Sequence, residues 1–299
     1  MGVAMGVAWR LISPMLKVAA RSYVAGPELR DAVDAAQAIK AHGFATFIDY
    51  WNPVDEPAPV IADAYLAIVE AVADQSLDAY VSMKTPPLGF RHDLLRCIAD
   101  AARRRGVGLH FDAMGAEAAD ETLRIVDELR LVHEEIAFTI PARWRRSRGD
   151  ADWAARRGIA VRAVKGRWAD GEGAEMQTPE ASFLQLIERL AGRVPQVAVA
   201  THDPALAAEA LHRLRKTDTR AELELALGLP LSESIAVAQR AGVTVRLCIP
   251  YGWATTPYGS PALRSQAKSW WWLLKDQWSA ARVTLHGGAA AHPRLPRAH

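Results

Sequence analysis

Cysteine is almost missing from this chain. Only Cys97 and Cys248 occur in 299 residues, far apart and in no CxxC arrangement. That excludes a disulfide framework and a cysteine-based zinc site, and it suits a reducing cytoplasm. No apolar run approaches the ~20 residues needed to span a membrane. Neither sign of charge is in excess: Lys and Arg number 36, Asp and Glu 34, for a net charge of +2. A balance so close to neutral argues against an electrostatic nucleic-acid binder. Nucleotide-loop glycines are missing too, with no GxGxxG after the first strand and no GxxxxGK[ST]. HExxH and GxSxG are absent, and "THD" (Thr201–Asp203) offers too few ligands for zinc. The start, "MGVAMGVAWRLISPMLKVAA", lacks a basic n-region ahead of a long apolar block and does not read as a signal peptide.

What is present is a regular alternation. Short apolar stretches read as strands: "FATFIDY" from Phe44, "LDAYVSMK" from Leu77, "VGLHFDAM" from Val107 and "EIAFTIPA" from Glu135, then "IAVRAVKG" from Ile159, "QVAVATHD" from Gln196, "AELELAL" from Ala221 and "TVRLCIPYG" from Thr244. Helical patterns separate them, such as "PEASFLQLIERLAGR", with Pro179 placed for a first turn. Gly43, Gly106, Gly158 and Gly242 each stand just before a strand, the position of a helix C-cap. Eight strands alternating with helices predict an α/β fold, a (β/α)8 TIM-type barrel with extra N-terminal helices. A doubly wound open sheet is the competing architecture. The expected organisation is helices over 1–43, the barrel over 44–285 and a Gly/Ala/Pro-rich disordered tail over 286–299.

In such a barrel the chemistry sits where strands end. Polar residues collect there: Asp49, Lys84, Asp112, Arg162, Lys165, Thr201, His202, Asp203 and Glu224. Singly, each has a bland reading as a loop hydrogen-bonder or a solvated charge. Trp51, Trp144, Trp168 and Trp253 also fall just past strand ends. They suit either the walls of an aromatic-ligand site or packing under loops. "SWWWLLKDQW" (Ser269–Trp278) reads as the last helix. The run "RWRRSR" (Arg143–Arg148) reads as a solvated or anion-binding loop.

At the fifth strand, "VRAVKGRW" (Val161–Trp168) resembles the "VRLVKGAYW" signature of the FAD-dependent proline dehydrogenase family. The resemblance continues in order through "VSMKTPPLG", "LHFDAMG", "VATHD", "ELELALGL" and "VRLCIPYG…PYG", from about Ser22 to Leu263. It implies a flavoprotein oxidoreductase with Asp112, Arg162 and Lys84 as catalytic residues. Arg162 is expected beside the flavin's reacting edge. Ala113, Lys165, Gly166, Arg167, Thr201 and His202 are assigned to FAD. Lys84, Trp168, Tyr258 and Arg264 are assigned to the substrate, with Asp112 and Lys84 as an acid–base pair beneath it.

Departures from the family pattern concern the proline half of the site. Where the family clamps a carboxylate with two arginines, this chain has Pro261 and Ala262, and Arg264 follows nearby. A strand-eight tyrosine becomes Cys248, a strand-four glutamine becomes Pro141, and the acid ending strand one becomes Asn52-Pro53. The expectation is therefore an FAD-dependent dehydrogenase or oxidase acting on a C–N or N–N bond of an amine or amino-acid-derived substrate other than free proline. That substrate is a small molecule, free or tethered to a carrier. The electron acceptor is oxygen, a quinone or another oxidant, and a homo-oligomer is compatible with the sequence. A non-catalytic or cofactor-free barrel serving binding or assembly is the alternative, and a true proline dehydrogenase the third reading.

Overall fold

The computed structural model describes residues 24–166 and 178–253, all within one compact unit. Helix α1 (Leu29–Ala41) precedes strand β1 (Ala45–Trp51). The chain then alternates: α2 (Ala58–Asp74), β2 (Ala79–Met83), α3 (His92–Arg105), β3 (Leu109–Phe111), α4 (Ala119–Leu129), β4 (Ile136–Pro141), α5 (Ser147–Arg157) and β5 (Ala160–Val164). It continues through α6 (Pro179–Leu190), β6 (Gln196–Ala200), α7 (Pro204–Arg215), β7 (Arg220–Ala226), α8 (Ser232–Ala241) and β8 (Thr244–Gly252). All neighbouring strands are parallel, and β8 pairs with β1 to close the barrel. The barrel expectation holds, and the open sheet is excluded by the β1–β8 ladder.

Local chemistry sets the boundaries. Thr178 caps α6 through its side chain with Pro179 at the first turn, and Asp203 caps α7 by accepting from the Ala205 and Leu206 amides. Helices α3, α5 and α8 end on Gly106, Gly158 and Gly242 in the left-handed conformation that glycine enters without a Cβ penalty. Helix α1 instead ends on His42, with the positive-φ Gly43 one residue later. The stretch Val24–Gly26 lies along the end of β8, where the Ala25 amide donates to Pro250 and the Gly252 amide to Gly26.

Strand side chains alternate between two environments. Ile48, Val81, Phe111, Ile140, Val161, Val199, Leu223 and Ile249 are fully buried in the apolar layer beneath the helices. The other face looks into the barrel, and it is polar: Asp49, Tyr80, Ser82, His110, Thr139, Arg162, Glu222, Glu224 and Arg246. In most such barrels bulky aliphatic residues fill that space. Here the lumen is held by ion pairs, so each charge needs a partner. No buried side-chain nitrogen or oxygen among the described residues lacks a hydrogen bond.

Candidate functional site

The floor of the C-terminal mouth is built from two linked ion clusters. Arg162, in the middle of β5, donates from Nε to Glu224 on β7, from Nη1 to Asp112 Oδ1 at 2.6 Å and from Nη2 to the Tyr80 hydroxyl at 2.7 Å. Tyr80 in turn donates to Glu224. The guanidinium lies over the Phe47 ring at 4.3 Å, and Phe47, Tyr80 and His110 form a stack across β1, β2 and β3. Burial alone would weaken the Arg162 cation. Glu224, Tyr80 and Asp112 more than offset it and hold its pKa above the ordinary guanidinium range.

The second cluster centres on Lys84, just past β2. Its ammonium pairs with Asp49 of β1, while Asp112 Oδ2 stands 3.9 Å away. The Trp51 indole donates to the other Asp49 oxygen at 2.7 Å. Burial disfavours the lysine cation, but the Asp49 carboxylate, followed by Tyr65 and Asp112, reverses this and the Lys84 pKa is raised. Asp112 thus bridges the two cations, and Asp49 is the nearer partner of Lys84. The resemblance had assigned that pairing to Asp112 and had treated the acid of strand one as lost to Asn52-Pro53. Asp49, three residues before Asn52, is the acid that strand alternation turns into the barrel.

The remaining expected residues divide. Lys165 stands half-exposed at the end of β5, 3.6 Å from Glu180. Gly166 has φ +88°, and a Cβ there would come within 2.9 Å of the Pro141 side chain. The packing of the β4 end therefore demands the glycine, whatever binds above it. Ala113 is partly covered beside Asp112. Thr201 is buried and accepts from the Asp203 amide, which leaves its hydroxyl proton free to donate. His202 is committed to the scaffold. Its Nε2 accepts from the Ala226 amide at 2.9 Å, so Nδ1 carries the proton and donates to the Pro230 carbonyl at 3.0 Å. Arg167, Trp168, Tyr258 and Arg264 lie outside the described residues, as do Pro261, Ala262 and Ser269–Trp278.

A ring of open indoles is not what the described tryptophans form. Trp51 and Trp144 are buried, the first turned onto Asp49, while Trp253 is 55% exposed; Trp168 lies outside the described residues. The arginine run is likewise partly internal. Arg146 bridges Asp120 and Asp150, and Arg148 donates to Gln185. Cys248 lies near Asp49, Arg162, Asp112 and Lys84, and burial, with Asp49 next, pushes its thiol well up, so it is neutral.

Sequence reasoning passed over Tyr80, Phe47, His110, Thr139, Glu222 and Arg246. The signal for some of them was period two. In "AYVSMK" the residues Tyr80, Ser82 and Lys84 share a face, and in "AELEL" so do Glu222 and Glu224.

Fold and site together define a (β/α)8 barrel with charged side chains converging at the end where such barrels carry their chemistry. No protein-family model matches the chain. It is 20% identical over 252 residues to proline dehydrogenase 2 of Bacillus subtilis, covering 79% of this chain and 82% of that protein. It is 24% identical over 257 residues to proline dehydrogenase 1 of Bacillus subtilis subsp. natto, covering 79% and 83%. Among solved structures it resembles proline utilization A (PutA) from Bdellovibrio bacteriovorus inactivated by N-propargylglycine, with TM-score 0.70 and 17% identity. PutA from Corynebacterium freiburgense superposes with TM-score 0.65 and 17% identity. Those matches cover 99% and 91% of this chain but only 38% and 32% of the PutA chains. The similarities support a divergent member of the proline dehydrogenase family.

Proposed function

We propose that this chain is an FAD-dependent oxidoreductase that takes a hydride from the carbon next to nitrogen in an amine or amino-acid-derived substrate other than free proline. The observation that carries the reading is the placement of Arg162: a fixed, buried guanidinium at the C-terminal floor, held from two sides by Asp112 and Glu224. The proline dehydrogenases and PutA proteins it resembles are FAD-dependent enzymes.

The described residues fit such a cofactor. Lys165 offers an ammonium at the rim for a phosphate, and Thr201 a hydroxyl donor. His202 fits only as a wall, because both its ring nitrogens are taken. When bound, FAD supplies the two-electron acceptor. Arg162 then places its preorganised charge where negative charge develops, a device worth about 3–4 kcal/mol in a dry site. Asp49 and Asp112 hold Lys84 charged beneath the substrate. Counted together, Asp49, Asp112 and Glu224 against Lys84 and Arg162 leave the floor one charge negative when all are ionised. That balance favours a substrate entering as an ammonium over one whose carboxylate must also be matched.

The test is the visible spectrum of the purified protein. Flavin absorbance at close to one equivalent, with FAD released on denaturation, is the expected result. Protein that stays colourless and takes up no added FAD overturns the reading.

A further inference from the structure

A second opening leads into the barrel from the opposite end. Gly108 just ahead of β3, Ala137 of β4, Ala160 of β5 and Ala198 of β6 lie along a cavity of about 500 Å3, which reaches Glu222, Glu224 and the underside of Arg162. These small residues leave open the space that larger side chains would fill, and polar groups make it fit for water.

At its inner wall Glu222 and Glu224, two apart on β7 and so on one face, are both buried, so their like charges stand together away from water. Two buried carboxylates side by side are relieved of their mutual repulsion when one of them takes a proton. Glu224 is occupied on both oxygens, by Tyr80 and Arg162. Glu222 receives Arg246 Nε at 3.1 Å on each oxygen. The other charged or titratable groups at the cavity are His110 of β3, which is held neutral by burial, Asp78 ahead of β2, which pairs with Arg246, Arg220 on β7, and Glu134 and Glu135 ahead of β4. From β6 only Gln196 and Ala198 line it.

We propose that Glu222 and Glu224 form a proton-binding pair on the barrel axis, loaded from solvent through the N-terminal cavity, which supplies counter-charge when negative charge develops at the C-terminal mouth. The coupling to the mouth rests on the flavin reading above. The step is simple in its balance: one O–H bond forms on the pair, water or buffer gives up the proton, and no electron moves there. The proton goes no further than Glu224, because an arginine does not pass protons at ordinary pH. Its charge is felt through Arg162, which touches Glu224 at one end of the guanidinium and Asp112 at the other. Burial, then Glu224, raises the Glu222 carboxyl against the pull of Arg246 to about 7, where a change of charge at the mouth can tip it.

The pair is tested by difference infrared spectroscopy of the full chain as purified, titrated between about pH 5 and pH 9. A protonated-carboxyl band that titrates near neutrality and vanishes in Glu222→Gln is expected. Ala198→Leu, which fills the cavity with every ion pair intact, should slow hydrogen–deuterium exchange of that band severalfold. A spectrum with no such band, or one unmoved by Glu222→Gln, overturns the pair; unchanged exchange in Ala198→Leu overturns the entry route. In protein that binds FAD, the pH dependence of the flavin midpoint potential should flatten in Glu222→Gln, and an identical dependence overturns the coupling. Failure to bind FAD strikes the functional reading and leaves the infrared result to decide the pair.

Discussion

Lys84 and Asp49, thirty-five residues apart in sequence, meet as an ion pair at the C-terminal floor, and both are nearly covered. Their strands are neighbours, and Asp49 pairs in register with Ser82, so barrel closure makes the contact.

That relationship predicts a non-additive pair. Asp49→Ala leaves a buried ammonium with Asp112 at 3.9 Å as its nearest carboxylate, and losing one partner of a buried pair costs about 3–5 kcal/mol. Lys84→Met should cost a similar amount. The double variant should lose clearly less than the two single losses together, because no unmatched charge remains. Urea unfolding of the four proteins measures this. Additive losses would show that the pair is not coupled.

Arg162→Met should weaken FAD binding and make the reduced, anionic flavin harder to form. One preorganised donor to developing charge is worth about 3–4 kcal/mol. Arg162→Lys keeps the charge but loses the fork to Glu224, Asp112 and Tyr80, and should fall between. Potentiometry of the bound flavin reads both. Potentials matching the unmodified protein in the methionine variant would remove Arg162 from the chemistry.

L-Proline at millimolar concentration should reduce the flavin little or not at all. Pro261 and Ala262 cannot make a bidentate clamp for a carboxylate, and Arg146 and Arg148 are engaged within the protein. A substrate whose carboxylate is absent or esterified should do better. Anaerobic mixing decides the point: prompt bleaching by L-proline would mark an ordinary member of the family.

Acid should destabilise the fold through its histidines. Burial pushes His202 below 6.5, and its Nε2 must stay unprotonated to accept the Ala226 amide. His110 and His133 are pushed down by burial as well. A histidine with a depressed folded pKa contributes its full stability above the unfolded value of about 6.5. That contribution is lost as pH falls below it, because the unfolded chain takes the proton first. Unfolding free energies between pH 8 and 5 should therefore fall towards acid, and less steeply in His202→Gln. Equal slopes in the two proteins would show that His202 is not buried neutral.

The polar residues at strand ends were legible because their positions follow from local pattern. Lys84 and Asp112 lie just past apolar strands and Arg162 in the middle of one, and the C-terminal ends of strands are where barrel chemistry gathers. Their partners were harder to see. Glu222 and Arg246 lie early in their strands, away from the strand ends to which the sequence pattern drew the eye. The resemblance alone assigns His202 to the cofactor, and "VATHD" shows nothing of Ala226 and Pro230, which engage both its ring nitrogens.

The sequence by itself determined the eight strands, most of their helices and the barrel. Period-two runs, helical spacing, and proline and glycine at element ends are local interactions, and they act before distant residues meet. The tertiary structure decided which charges pair, that Asp49 is the nearer partner of Lys84, that Trp51 and Trp144 are covered, and that small residues ahead of β3 and on β4 to β6 open a polar cavity at the far end. Those outcomes depend on strand register and closure, which bring side chains from β1, β2, β3, β5, β7 and β8 to one axis. In that space burial makes an unmatched charge too costly to keep, so the partner each charge finds there sets its chemistry.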